Sequence, residues 1–133
     1  MNYHTLTTKI AQNKLTKIFD EAGVFFAFNN EQMEKGLKKI NAKIGDLTRI
    51  ANGGYMPKKN VKAYISKSNA FYKWLKKEVK KLNPNEVICY ELNNYECYYT
   101  GDTTSAYEAL KSYGFTRDDV NKVYHNKNYI LNK

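Results

Sequence analysis

Residues Pro57 to Pro84 read PKKNVKAYISKSNAFYKWLKKEVKKLNP, and this stretch decides the architecture. Val61, Tyr64, Ile65, Phe71, Tyr72, Leu75, Val79 and Leu82 keep one apolar side at helical spacing for about seven turns. Pro57 suits a helix opening, where its missing N–H is not needed, and Asn83-Pro84-Asn85 closes the run. The spacing predicts one long amphipathic helix from Lys58 to Leu82. Its other side is basic: Lys58, Lys59, Lys62, Lys73, Lys76, Lys77, Lys80 and Lys81 share a stripe, with Ser66 and Asn69 between them. At ~1.5 Å per residue the stripe is about 30 Å long, enough for several backbone phosphates of a nucleic acid. Lysine also populates merely solvated helix faces, but acids usually interleave there. Here they are scarce: residues 35–81 hold 14 of the 22 basic side chains, with only Asp46 and Glu78 as acids.

Trp74 falls between the lysine side and the apolar side, where it lies across the core edge, stacks a base or anchors a partner; the core edge is the simplest of the three. Upstream, Arg49 with Asn52-Gly53-Gly54-Tyr55 and Lys58-Lys59 forms a second basic cluster around a turn and a helix N-terminus, which favours an anion. A bare Gly-Gly turn lacks the spacing of a phosphate loop, however, and a plain hairpin turn accounts for it. The candidate partner-binding residues are therefore Arg49, Lys58, Lys59, Lys62, Lys73, Trp74, Lys76, Lys77, Lys80 and Lys81.

Working outward, Leu6, Ile10, Ile18, Phe19 and Ala22 predict a helix over 7–22, with threonines available as its cap and Gly23 as its stop. Val24 to Phe28 read as a buried central strand. Asn29 or Asn30 caps a second helix with Gln32 in its first turn, an inward stripe of Met33, Leu37, Ile40 and Ile44, and Gly45 at its end. Leu47 to Ile50 and Tyr55-Met56 are strand segments flanking the glycine turn. Beyond the long helix, Glu86 to Leu92 and Tyr95 to Thr100 flank Asn93-Asn94, the spacing of a tight β-hairpin. In that register Cys89 and Cys97 point to opposite faces, which disfavours a disulfide, and Glu91 faces Glu96. Residues 103–113 form a short helix stopped by Gly114, Thr116-Arg117-Asp118-Asp119 opens another with the polar-x-x-acid cap, and the tail after His125 frays. The order predicts an α+β fold: a single domain over 1–133, with an antiparallel or mixed sheet of about four strands packed by helices.

The chain has 133 residues, a hydrophobic fraction of 42% and a net charge of +9, enough apolar material for a core and a charge that points to an anionic partner. Two cysteines exclude a disulfide scaffold. No apolar run approaches a membrane span of about 20 residues. The opening Met1-Asn2-Tyr3-His4-Thr5-Leu6 lacks a secretory signal's basic stub and apolar run, which predicts a cytoplasmic protein. His4 and His125 have no Cys, Asp or Glu at ligand spacing, so neither a metal nor another cofactor is expected. No nucleophile elbow, Walker loop, dinucleotide fingerprint or HExxH occurs, and no catalytic residue is assigned. Asp118 and Asp119 could join Asp102 around a divalent ion only if folding brought them together; capping explains them equally well.

Two stretches, Phe25-Phe26-Ala27-Phe28-Asn29-Asn30-Glu31-Gln32-Met33 and Tyr90-Glu91-Leu92-Asn93-Asn94-Tyr95-Glu96-Cys97-Tyr98-Tyr99-Thr100-Gly101-Asp102, resemble small proteins of unassigned activity encoded by bacteriophages and mobile elements. The likeness runs from about residue 24 to 125 and brings no site residues with it. It implies a setting, the cytoplasm of a bacterial host, in which compact proteins such as anti-CRISPR inhibitors occlude a defence complex. Acidic mimics block the basic channels of guide-RNA nucleases, and a positive stripe is not one of them. The expectation is therefore a non-enzymatic monomer or homodimer that binds nucleic acid or a ribonucleoprotein such as a CRISPR nuclease, by holding guide RNA, DNA or an acidic protein surface. The alternatives are a sequence-selective DNA-binding regulator, which would bind duplex as a two-fold dimer, and an enzyme whose site, with Glu91, Glu96 or Asp102, is assembled from distant residues.

Overall fold

The computed structural model describes residues 1–126 and divides the chain into two compact units: Ile10–Tyr72, and Met1–Lys9 with the chain from Lys73 onward. Among the described residues helices dominate, and the sheet is small, with three antiparallel strands where about four were expected.

The unit Ile10–Tyr72 holds that sheet, built from β1 (Phe25–Phe26), β2 (Leu47–Ile50) and β3 (Gly54–Pro57) in the order β1-β3-β2. Phe25 pairs with Tyr55 and Arg49 with Tyr55, so β3 is central. The predicted buried strand over 24–28 is therefore a two-residue edge. Phe25 is buried, but the next side chain points to the opposite face, leaving Phe26 half-exposed, and beyond the strand Phe28 is 76% exposed. One face is covered by α3 (Asn30–Ile40), where Gly36 lies so close to the Phe25 ring that a Cβ there would collide with it. Phe25, Ala27 and Leu47 form the centre of this layer, with Met33, Leu37 and Ile40 packed on it. On the other face Phe19, from α2 (Ala11–Ala22), sets its ring edge-on to Phe26 at 6.4 Å and stacks on Tyr64 at 6.2 Å.

Local signals set the boundaries. Gly23 takes the left-handed conformation (φ 73°) that ends α2. Asn29 caps α3 by accepting from the Gln32 amide at 2.8 Å, and Gln32 Oε1 accepts from the Phe28 amide at 2.7 Å, a reciprocal cap. α3 stops at Asn41 (φ 53°) and not at Gly45, because asparagine tolerates that backbone; Ile44, expected on the inward stripe, is thereby 67% exposed.

The other unit gathers α1 (Tyr3–Thr5), the end of α4 (Val61–Lys80), α5 (Pro84–Asn94), α6 (Cys97–Thr100), α7 (Thr104–Leu110) and α8 (Arg117–Tyr124). Helical backbone begins at Tyr3, four residues before the expected start, because Asn2 caps it by accepting from the Thr5 amide at 2.8 Å. The threonines do not cap: the Thr7 and Thr8 hydroxyls donate back to the Tyr3 and His4 carbonyls, along a π-helical turn over Leu6–Ile10. The predicted hairpin is absent, and its first strand is α5. Asn83 Oδ1 accepts from the amides of Asn85 and Glu86 at 2.9 and 3.3 Å, with Pro84 at the first helical position. Val87, Ile88, Glu91 and Leu92 then bury one helical face, against which α1, α6, α7 and α8 pack. With no strands there is no cross-strand register: Glu91 is buried on α5 while Glu96, just before α6, is exposed, and Cys89 and Cys97 lie on these two helices without a disulfide. Gly114 (φ 94°) follows the turn after α7, and Thr116 with Asp119 makes the expected capping box of α8, with bonds of 2.8 and 3.1 Å. The expected fraying after His125 falls almost wholly outside the described residues.

Candidate nucleic-acid interface

The predicted long helix is a 3-10 turn (Lys58–Asn60) running into α4, the longest helix in the structure. Leu75 and Val79 are buried and Leu82, just beyond the helix, is half-buried; these residues orient its C-terminal half. At 100° per residue Lys73, Lys76, Lys77 and Lys80 project to the opposite side, and all four are exposed. Among the described residues none of the four has a carboxylate within ion-pair distance. Lys81 differs, because its Nζ lies 3.0 Å from Glu78 Oε1, one turn back and off the stripe. Trp74 is half-buried, at the boundary between the buried and basic sides. Neighbouring ammonium-bearing residues three or four apart have Cβ atoms about 5–6 Å from one another, close to the spacing of successive phosphates. This row attracts a polyanion without selecting among bases.

The other candidate residues belong to the unit Ile10–Tyr72. Arg49, on edge strand β2, is exposed with its guanidinium 5.8 Å from the centre of the Tyr55 ring. Lys58 Nζ donates to the Gly45 carbonyl at 3.3 Å, while Lys59 and Lys62 are exposed. Asn52 (φ 64°) and Gly53 (φ 79°) turn the chain between β2 and β3, so Gly53-Gly54 serves a hairpin, the simpler of the two readings. Lys67, outside the stripe, pairs with Glu21 at 2.5 Å, and that pair lowers the Glu21 carboxyl.

Two of the candidate acids, Asp102 and Asp119, have local partners. Asp102 Oδ1 accepts from the Thr104 amide at 2.9 Å, and hydrogen bonds from Thr104 hold its carboxyl below the usual range. Asp119 is lowered in the same way by Thr116. Among the described residues, no three His, Cys, Asp or Glu side chains gather to hold a metal, and no helix is long and apolar enough to cross a membrane.

One cluster was not visible in the sequence. Glu91, only 8% exposed, accepts from the Tyr3 hydroxyl at 2.7 Å and from the Asn94 amide group at 3.1 Å. Burial first, then the hydrogen bond and charge of Glu91, with Tyr113 adding, push the Tyr3 phenol far above its ordinary range. Tyr90 sets its ring edge-on to Tyr3 at 5.2 Å, and its hydroxyl lies 2.8 Å from His4 Nδ1. A phenol held protonated against a carboxylate is a fastening between α1 and α5. Position 91 on the apolar stripe of α5 was the available clue, since a polar residue there needs buried partners.

No curated protein and no solved structure matches the chain. A family model described as a family of unknown function, DUF7659, matches residues 7–131. The match spans nearly the whole sequence, both units included, and the chain belongs to that family.

Proposed function

We propose that the protein acts by binding and not by catalysis, and that the lysine face on the C-terminal half of α4 holds a nucleic-acid backbone, either free or within a nucleoprotein. The observation that carries this reading is the row Lys73, Lys76, Lys77 and Lys80, exposed together and without carboxylate partners among the described residues. A face evolved only for solubility interleaves both signs, and unneutralised ammonium groups in a row repel one another. Phosphates relieve that repulsion and release their own counterions, which favours association entropically. Lysines so placed supply affinity; selectivity then comes from the partner's shape or from contacts beside the row. Occlusion of a host nuclease complex through its guide RNA or target DNA is the form of this activity that the likeness to phage proteins implies.

The test replaces Lys73, Lys76, Lys77 and Lys80 with glutamine together. The residues are exposed, so the far-ultraviolet circular dichroism and thermal midpoint should stay close to those of the parent. Binding to a labelled oligonucleotide should fall by at least about tenfold at moderate salt. Unchanged binding removes the proposal.

A further inference from the structure

The lysine row ends at a groove. A cavity of about 430 Å³ opens beside Lys80, lined among others by Val79, Ile88, Val123, Tyr113 and Phe115. Its size falls in the range of pockets that take one flat heterocycle or a few. Val79, Ile88 and Val123 are buried and the two aromatics half-buried, so the lining carries both aliphatic and aromatic surface. Lys80 belongs both to the exposed row on α4 and to the rim of this slot.

We propose that the nucleic acid held by the lysine face is single-stranded, and that an unpaired base enters the groove lined by Tyr113 and Phe115 while its phosphates follow Lys73 to Lys80. The inference rests on the proposed function and narrows its ligand class. Charge around the rim favours a base over a further phosphate: the formal charges of Lys122 and Asp119 cancel, which leaves Lys80 as the net positive group, and the strand's own phosphate neutralises it. A neutral aromatic ring suits that balance, and a second anion does not. Exposed Asn85 places an amide at the mouth, able to donate and accept along a base edge. A duplex keeps its bases stacked inside, so it can use the row but not the slot.

Fluorescence anisotropy with the full chain separates the possibilities. The probes are a labelled oligothymidylate of about a dozen nucleotides, an abasic strand of equal length and charge, and a duplex of that length. The thymidylate strand should bind at least about tenfold more tightly than the abasic strand, because the two differ only in the bases, which alone can stack in the groove and meet Asn85. Phe115→Leu, which removes a ring from the groove without changing charge, should reduce that advantage several-fold. Equal binding of the two strands overturns the inference, without any variant, and so does a duplex that binds as tightly as the thymidylate strand. In either case the lysine face still stands. If none of the three probes binds, the proposed function falls with it.

Discussion

Replacing Tyr3 with phenylalanine tests the packing on which the second unit is built. The hydroxyl donates at 2.7 Å to Glu91, a carboxylate only 8% exposed, and the substitution removes the donor while keeping the ring against Tyr90. Glu91 retains the Asn94 amide at 3.1 Å, so it loses one of two side-chain partners and not both. A hydrogen bond to a buried charged group contributes about 1.5–3 kcal/mol, and we expect a loss near 2 kcal/mol at pH 8. The pH dependence is more discriminating. Folding raises the Tyr3 ionisation well above that of an unfolded tyrosine, near pH 10. The stabilisation is therefore complete below about pH 10 and decays above it, as the unfolded chain alone loses the proton, at about 1.4 kcal/mol per pH unit. The gap between parent and Tyr3→Phe should shrink from about 2 kcal/mol at pH 8 to below about 1 kcal/mol at pH 11. Tyr98, pushed up to about 12 chiefly by burial, adds alkaline sensitivity to both proteins and cancels in the difference. Urea unfolding followed by circular dichroism at the two pH values measures this directly. A gap under about 0.5 kcal/mol at pH 8, or one that does not narrow at pH 11, refutes the reasoning.

Two further substitutions probe the frame. Gly36→Ala drives a methyl group into the Phe25 ring at the contact of α3 with the sheet, and should cost about 1–3 kcal/mol by overpacking, read as a lower thermal midpoint. Asn83→Ala removes the acceptor that caps α5 and should cost about 1 kcal/mol in urea unfolding; a neutral result means that α5 does not start there.

Capping chemistry was the most legible part of the sequence. Asn29 with Gln32, Thr116 with Asp119, and the stops at Gly23 and Gly114 act through bonds between neighbours in the chain, so their residue types suffice to place them. The same chemistry was misread at Asn83-Pro84, which ends one helical stretch and also begins α5; taking it only as a stop left Val87 to Leu92 to be judged by strand propensity. Propensity is weaker evidence than a cap followed by a stripe at helical spacing. Phe26 and Phe28 misled in another way, because apolar character does not reveal whether a neighbouring layer covers the residue. For the candidate interface, the wheel placed Lys73, Lys76, Lys77 and Lys80 correctly on an exposed face, since a helix fixes direction from number alone. The withdrawal of Lys81 towards Glu78 was available from the three-residue spacing. The groove was not, because Ile88, Phe115 and Val123 are brought together by tertiary packing.

The salt dependence of binding tests the central claim most directly. If Lys73, Lys76, Lys77 and Lys80 each neutralise one phosphate of a single strand, the logarithm of the association constant falls against the logarithm of salt concentration with a slope of at least about −3. The account predicts that slope for the parent and a slope shallower by about 3 when the four lysines become glutamine. A slope near zero for the parent, or the same slope in both proteins, contradicts it.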